Sequence, residues 1–284
     1  MSNPKRPREG GEKAKKRYRS DGTPIWGKRA IDGPGIWASC VKGKEKQTVG
    51  ELYDLFESLA SELWPGVSAS VEADEKGHND PDDGEVEEDL EKQIAKELAV
   101  ISRPRREQRF ANCQTNTPCV IFISCKAPVD PVQLVLKHIE NVERTGVTHT
   151  RYTHRLTPVT NTCVANATEI KSLAQRVLKL FLAQNPDSDY RYKIELKVRN
   201  HNTLSRQLLI DTVVSCVPSG WTVNLEDAEV FILVEVFKST CGIGIVKGYY
   251  AHQKFNVMEI ANMKNTEAKL GGEGRVTVHQ TRLN

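Results

Sequence analysis

No stretch of this 284-residue chain comes near the roughly 20 consecutive apolar residues of a membrane-spanning helix. The first residues also lack the apolar run of a secretory signal, so neither a membrane nor a secreted protein is expected. The acceptor pattern Asn166-Ala167-Thr168 is accordingly read as chance. Seven cysteines are present, an odd number, and none stand at C-x-x-C spacing. Most lie in apolar runs. This excludes paired-ligand zinc and favours reduced, buried thiols inside a cell. There is no Walker A sequence, no G-x-S-x-G elbow, no H-E-x-x-H and no H-x-E with paired cysteines. His138 falls among apolar neighbours in a helical run and is read as structural. The expectation is a protein that is not an enzyme and carries no cofactor and no metal.

What is present is charge, unevenly distributed. The net charge of +3 conceals about +6 over residues 1–19, −10 over 72–91 and +9 over 92–284. A basic folded portion favours polyanions such as nucleic acid. Residues 1–33 are rich in Gly, Pro, Lys and Arg and are expected to be a disordered basic tail. Lys5, Arg6 and Arg8, then Lys13, Lys15, Lys16 and Arg17, form two clusters. They are read either as a bipartite nuclear-import signal or as a generic solvated tail that adds weak RNA affinity, and both readings can hold. Residues 65–89 form an acidic insert that cannot bury a core and is expected to be disordered. Its carboxylates lack EF-hand spacing.

Between these lie alternating elements. The pattern predicts strands over 36–41, 118–126, 150–158 and 161–165. It predicts helices over 48–64, 90–101, 131–143 and 168–183. Thr48 with Glu51 suggests a capping box, and Pro131 opens its helix. From Tyr190 the order is basic strand (190–199), helix (203–217) and two apolar strands (229–237 and 241–250). The glycines of Gly242-Ile243-Gly244 are read as close backbone packing in a strand, because no helix follows as a nucleotide loop would need. The chain after residue 262 has little to pack and is expected to be mostly disordered.

Side chains at i and i+2 share a strand face. Lys193, Glu195, Lys197 and Arg199 therefore share the polar face of their strand, opposite Ile194, Leu196 and Val198. Arg151 and Arg155 are placed on one face of theirs. Asn200 continues into a loop, Thr203 is the expected helix cap, and Arg206 lies in the first turn, where free N–H groups suit a phosphate. Lys247, with Tyr249 and Tyr250 beside it, suits single-stranded nucleotides. The candidate RNA-binding set is thus Arg151, Arg155, Lys197, Arg199, Asn200, Arg206 and Lys247. Any one of these alone is equally a solvated polar residue.

The strings GPGIWASCVKGKEKQTVGELYDLF, RLTPVTNTCVA, LKVRNHNTLSR and VNLEDAEVFILVEVFKSTCGIGIVKGYY, with the acidic insert, resemble the stand-alone THUMP-domain family of eukaryotic tRNA cytidine-acetylation adaptors. The resemblance covers residues 34–260. It implies an α/β (α+β) fold with an N-terminal ferredoxin-like domain over 34–136, a THUMP RNA-binding domain over 137–250 and an extension over 251–284. It implies a non-catalytic protein that presents serine and leucine tRNAs to a separate RNA cytidine acetyltransferase, for N(4)-acetylcytidine in the D-arm. Acetyl-CoA and ATP chemistry then belongs to that partner. The family's RNA-facing positions correspond to Arg155, Lys197, Arg199, Arg206 and Lys247. No methyltransferase, thiouridylase or pseudouridine synthase domain accompanies the module. A ribosome-assembly scaffold and an autonomous tRNA-modifying enzyme are the alternatives. Residence in the nucleus, and within it the nucleolus, is expected.

Overall fold

The computed structural model describes residues 30–65, 109–186 and 189–276. The basic clusters of residues 5–17, the acidic insert from residue 66 and the helix expected over 90–101 lie outside the described residues.

Six elements build the first sheet: β1 (Gly35–Cys40), α1 (Glu45–Leu63), β2 (Phe110–Cys113), β3 (Val120–Cys125), α2 (Pro131–Thr145) and β4 (Thr153–Val159). The strand order is β2-β3-β1-β4 and every pairing is antiparallel, which is the ferredoxin-like arrangement. Helical spacing of Leu52, Leu55, Phe56 and Leu59 on α1, and of Leu134, Val135, Ile139 and Val142 on α2, drives both helices onto one sheet face. The other face buries Trp37, Phe122 and Val159 against Phe237 of the second sheet.

The second sheet comprises β5 (Asn161–Val164), β6 (Arg191–Arg199), β7 (Thr222–Val223), β8 (Val230–Phe237) and β9 (Thr240–Lys247), in the order β5-β9-β8-β6-β7. The β6–β8 and β6–β7 pairs are parallel, and β9 runs antiparallel to β8 and β5. Helices α3 (Ala167–Gln184) and α4 (Arg206–Val214) cover one face through Ile170, Leu173, Val177, Leu209 and Val213. Residues of β8 are buried along its whole length, because on its other face Phe231 and Leu233 enter the first core and Phe237 packs against Trp37, Phe122 and Val159. There the glycine alternation of β9 does what the sequence suggested. A Cβ on Gly244 would sit 2.4 Å from the Pro158 carbonyl oxygen, and one on Gly242 would sit 3.0 Å from Val159 Cγ1.

Four expectations need correction. The division between residues 136 and 137 falls inside α2. Both α2 and β4 complete the first sheet, so the division by sheet membership lies at Thr160, between β4 and β5. Helix α1 begins three residues before Thr48, whose hydroxyl donates to the Lys44 carbonyl at 2.9 Å instead of capping. Glu51 accepts the backbone N–H of Arg151 (2.9 Å) and Tyr152 (3.3 Å). The helix expected from Thr203 starts later, with Ser205 as its cap. Finally, the expected disordered extension contains α5 (Val257–Val276), which packs on α2 and β4. Val257, Ile260 and Ala261 at helical spacing enter the first core.

Candidate nucleic-acid interface

Strand β6 divides its side chains as its alternation requires. Tyr192, Ile194, Leu196 and Val198 join the core under α3 and α4, and Lys193, Glu195, Lys197 and Arg199 take the opposite face. Most of these cations have protein partners. Lys197 Nζ lies 2.9 Å from Oε1 of Glu235, its register partner on β8. Glu235 is only 5% exposed. Lys193 Nζ donates to the Tyr250 hydroxyl at 2.9 Å and the Leu225 carbonyl at 3.0 Å. The bond to Tyr250, with Glu195 nearby, holds the Lys193 ammonium above the usual lysine range. Tyr250 in turn donates to Glu195.

The open cations lie at the C-terminal end of β6. Arg199 has no hydrogen-bond or ionic partner for its side chain among the described residues. Asn200 adopts a left-handed φ of 54° and carries the chain out of the sheet. His201 staples the loop behind it: its Nδ1–H donates to the Lys238 carbonyl at 2.7 Å, and its Nε2 accepts the Leu204 N–H at 3.1 Å. That pair of bonds fits the tautomer with its proton on Nδ1. Ser205 Oγ then accepts the Leu208 N–H at 3.2 Å, and Arg206 stands exposed in the first turn of α4. Behind this corner Lys238 Nζ donates to the Thr115 carbonyl at 2.7 Å, tying the β8–β9 turn to the first sheet's unit.

The remaining candidates are elsewhere. Lys247 pairs in register with Val230, which pairs with Tyr192 on β6. It therefore sits at the opposite end of the sheet from Arg199, offset by about 23 Å along the strand direction at roughly 3.3 Å per residue. Asn185 Oδ1 at 2.7 Å and the Tyr190 hydroxyl at 3.1 Å hold its ammonium. Tyr249, expected beside it for stacking, is fully buried against Phe231 and Phe255. Tyr250 is 37% exposed and has Lys193 and Lys254 over its ring at 4.5 and 4.6 Å. Arg151 precedes β4, so it shares no strand face with Arg155, and its guanidinium lies over Tyr152 at 5.5 Å. Arg155 is half-buried, pairs with Ser39 on β1 and bridges Asn256; its Nε is buried without a partner.

Of the seven candidates, Arg199, Asn200 and Arg206 follow one another along the connection from β6 to α4, and Lys197 on β6 is paired with Glu235. Sequence reasoning passed over Glu235 and Lys238. Glu235 had a signal: a lone carboxylate within the apolar run of β8 demands a cation on a neighbouring strand. His138 is buried, and desolvation pushes it down to about 4, so it stays neutral within the first core. Among the described residues no group of His, Cys, Asp or Glu could hold a metal ion, and no helix is long and apolar enough to cross a membrane.

The THUMP domain family model matches residues 164–246, the span from the end of β5 to the end of β9. The THUMP domain-containing protein 1 homolog of Drosophila melanogaster is 30% identical over 266 residues, covering 84% of this chain and 77% of the fly protein. The tRNA acetyltransferase TAN1 of Saccharomyces cerevisiae is 29% identical over 249 residues, covering 81% of this chain and 85% of the yeast protein. Among solved structures, PH1313 from Pyrococcus horikoshii aligns with a TM-score of 0.42 at 7% identity, covering 75% of this chain and 54% of that one, too loose a likeness to bear on function. On the family match and the extent of the fly relative's similarity, the chain belongs to the family of THUMP domain-containing protein 1.

Proposed function

We propose that this protein binds tRNA and serves cytidine acetylation as the RNA-holding partner of a separate RNA cytidine acetyltransferase. The observation that carries the reading is the succession of Arg199, Asn200 and Arg206 along the connection from β6 to α4, in a chain similar over most of its length to a protein named for tRNA acetylation. Arg206 in the first turn of a helix suits one phosphate, and Arg199 at the end of β6, without a side-chain partner among the described residues, suits another. The ferredoxin-like unit abuts this connection through Lys238 and Thr115, so one continuous surface would fix the distance from the gripped phosphates to the target cytidine. The tRNAs are the serine and leucine isoacceptors, and the product is N(4)-acetylcytidine in the D-arm. The partner supplies the acetyl-CoA and ATP chemistry, consistent with the lack of a nucleotide-binding motif in this sequence. The basic clusters of residues 5–17 would direct the protein to the nucleus.

The test is tRNA binding by the Arg199→Ala/Arg206→Ala double variant across a salt series. The expected result is weaker binding, with a slope of log affinity against log salt shallower by about 1–2. Unchanged affinity and slope would remove the site. Nucleoside analysis of tRNA from cells lacking the protein tests the pathway: unaltered N(4)-acetylcytidine would remove the acetylation role.

A further inference from the structure

The second sheet holds a chemically active pair that RNA binding does not use. Cys163 on β5 and Cys241 on β9 are register partners across an antiparallel ladder. Opposed residues in such a ladder have Cα atoms about 4.5–5.5 Å apart, within the range of roughly 4.4–6.8 Å that a disulfide bridges. Both are free thiols; Cys163 is half-buried on an edge strand and Cys241 is fully buried behind it. We propose that Cys163 and Cys241 form a reversible oxidation site, a thiol pair that closes into a cross-strand disulfide when a peroxide reaches Cys163.

The asymmetry of the pair assigns the roles. Cys163 is the half-buried member on the edge strand, and the neighbouring thiol pushes it down, whereas that neighbour and full burial push Cys241 up. Cys163 therefore ionises first and is the more accessible of the two. Its thiolate attacks one peroxide oxygen: an S–O bond forms, the O–O bond breaks, and the leaving oxygen takes a proton to become water. The Cys241 sulfur then attacks the sulfenic sulfur: the S–S bond forms, the S–O bond breaks, and hydroxide leaves as water with the Cys241 proton. Overall two thiols give up two electrons and two protons, and one hydrogen peroxide becomes two waters.

The other thiols lack this arrangement. Cys113 and Cys125 lie on neighbouring strands but out of register, opposite Phe122 and Phe110. Cys40 is the nearest rival, since its N–H donates to the Cys119 carbonyl at 3.2 Å, but burial pushes its thiol up to about 11. Closure at Cys163–Cys241 has a structural consequence. It encloses α3, β6, α4, β7 and β8 in one covalent loop, and it fastens β5, the direct continuation of β4, onto β9.

The experiment treats the full chain in native buffer with hydrogen peroxide, blocks residual thiols by alkylation and digests with trypsin. The expected product joins peptides 156–171 and 239–247, lighter by two hydrogens than their sum, and dithiothreitol separates them. Oxidation also raises the unfolding midpoint. Cys163→Ser and Cys241→Ser each abolish the linked peptide, and Cys216→Ser retains it. Should Cys241→Ser fail to fold, Cys163→Ser at the half-buried position carries the comparison. Linkage only after unfolding in urea, a preferred Cys40–Cys119 link, or over-oxidised Cys163 without linkage would each overturn the proposal.

Discussion

Lys197 and Glu235 face each other across two parallel strands, 2.9 Å apart, with the carboxylate buried and the ammonium at the rim. This pairing makes Lys197 a structural cation first. Lys197→Ala leaves an unpaired buried carboxylate and is expected to cost roughly 2–4 kcal/mol. The combined Lys197→Met/Glu235→Leu change is expected to restore most of that stability. Urea unfolding of the single and double variants measures the difference, and a Lys197→Ala loss under about 0.5 kcal/mol would show the pair to be incidental.

Arg199 and Lys247 occupy opposite ends of the second sheet, and of the two Arg199 alone has no side-chain hydrogen-bond or ionic partner among the described residues. Arg199→Ala is expected to weaken tRNA binding about tenfold at low salt. Lys247→Ala is expected to change it less than threefold, because its charge is already engaged by Asn185 and Tyr190. Filter binding or anisotropy at two salt concentrations separates these outcomes.

His138 links stability to pH. Burial depresses its folded value to about 4 from an ordinary value near 6.5. Between these values the unfolded chain binds the proton and the folded chain does not. Stability from this residue is therefore intact above about pH 6.5 and is lost as pH falls toward 4, by roughly 3 kcal/mol in all. His138→Phe is expected to flatten that part of the profile, as read by chemical unfolding at pH 7 and pH 4.5.

Gly244 gives β4 room to lie on β9. A methyl group there would meet the Pro158 carbonyl oxygen at 2.4 Å, and backbone cannot swing aside as a side chain can. Gly244→Ala is expected to destabilise by more than about 2 kcal/mol. Gly242→Ala, meeting the Val159 side chain at 3.0 Å, should cost less. Thermal unfolding of the two variants tests the order.

Truncation after Asn256 removes Val257, Ile260 and Ala261 from the first core. At about 25 cal/mol per Å² of apolar surface, the expected loss is roughly 3–5 kcal/mol. Circular dichroism melts of the shortened and the full chain make the comparison.

What could be read from the sequence was local. Period-two alternation assigned both faces of β6 correctly, apolar stripes located α1, α2 and α3, and the glycines of β9 announced a close backbone neighbour. Pairings across long separations were not legible. Nothing in the residues of β4 says that they pair with β1, more than a hundred positions earlier, and so the division between units was placed inside α2. Thr203 and Ser205 are both competent caps, and only the staple formed by His201 decides for Ser205. Lys197 looked as free as Arg199 until the register set Glu235 opposite it. Among the described side chains the stripe on α5 is one turn long, too short to distinguish from an unstructured tail.

A single residue, Thr160, separates the last strand of the first sheet from the first strand of the second, and its N–H donates to the Ile243 carbonyl at 2.8 Å. Helix α5 then carries the chain back from the second sheet to the first. The polypeptide thus crosses the seam twice, once with no slack and once with a helix that fills the far core. Excising residues 164–246 as a cassette would therefore cut through β5, leave α5 behind and take Phe231, Leu233 and Val246 out of the first core. The stretch that identifies this family by sequence is shorter than the piece that must fold together, and a transplant of the module would have to carry both crossings with it.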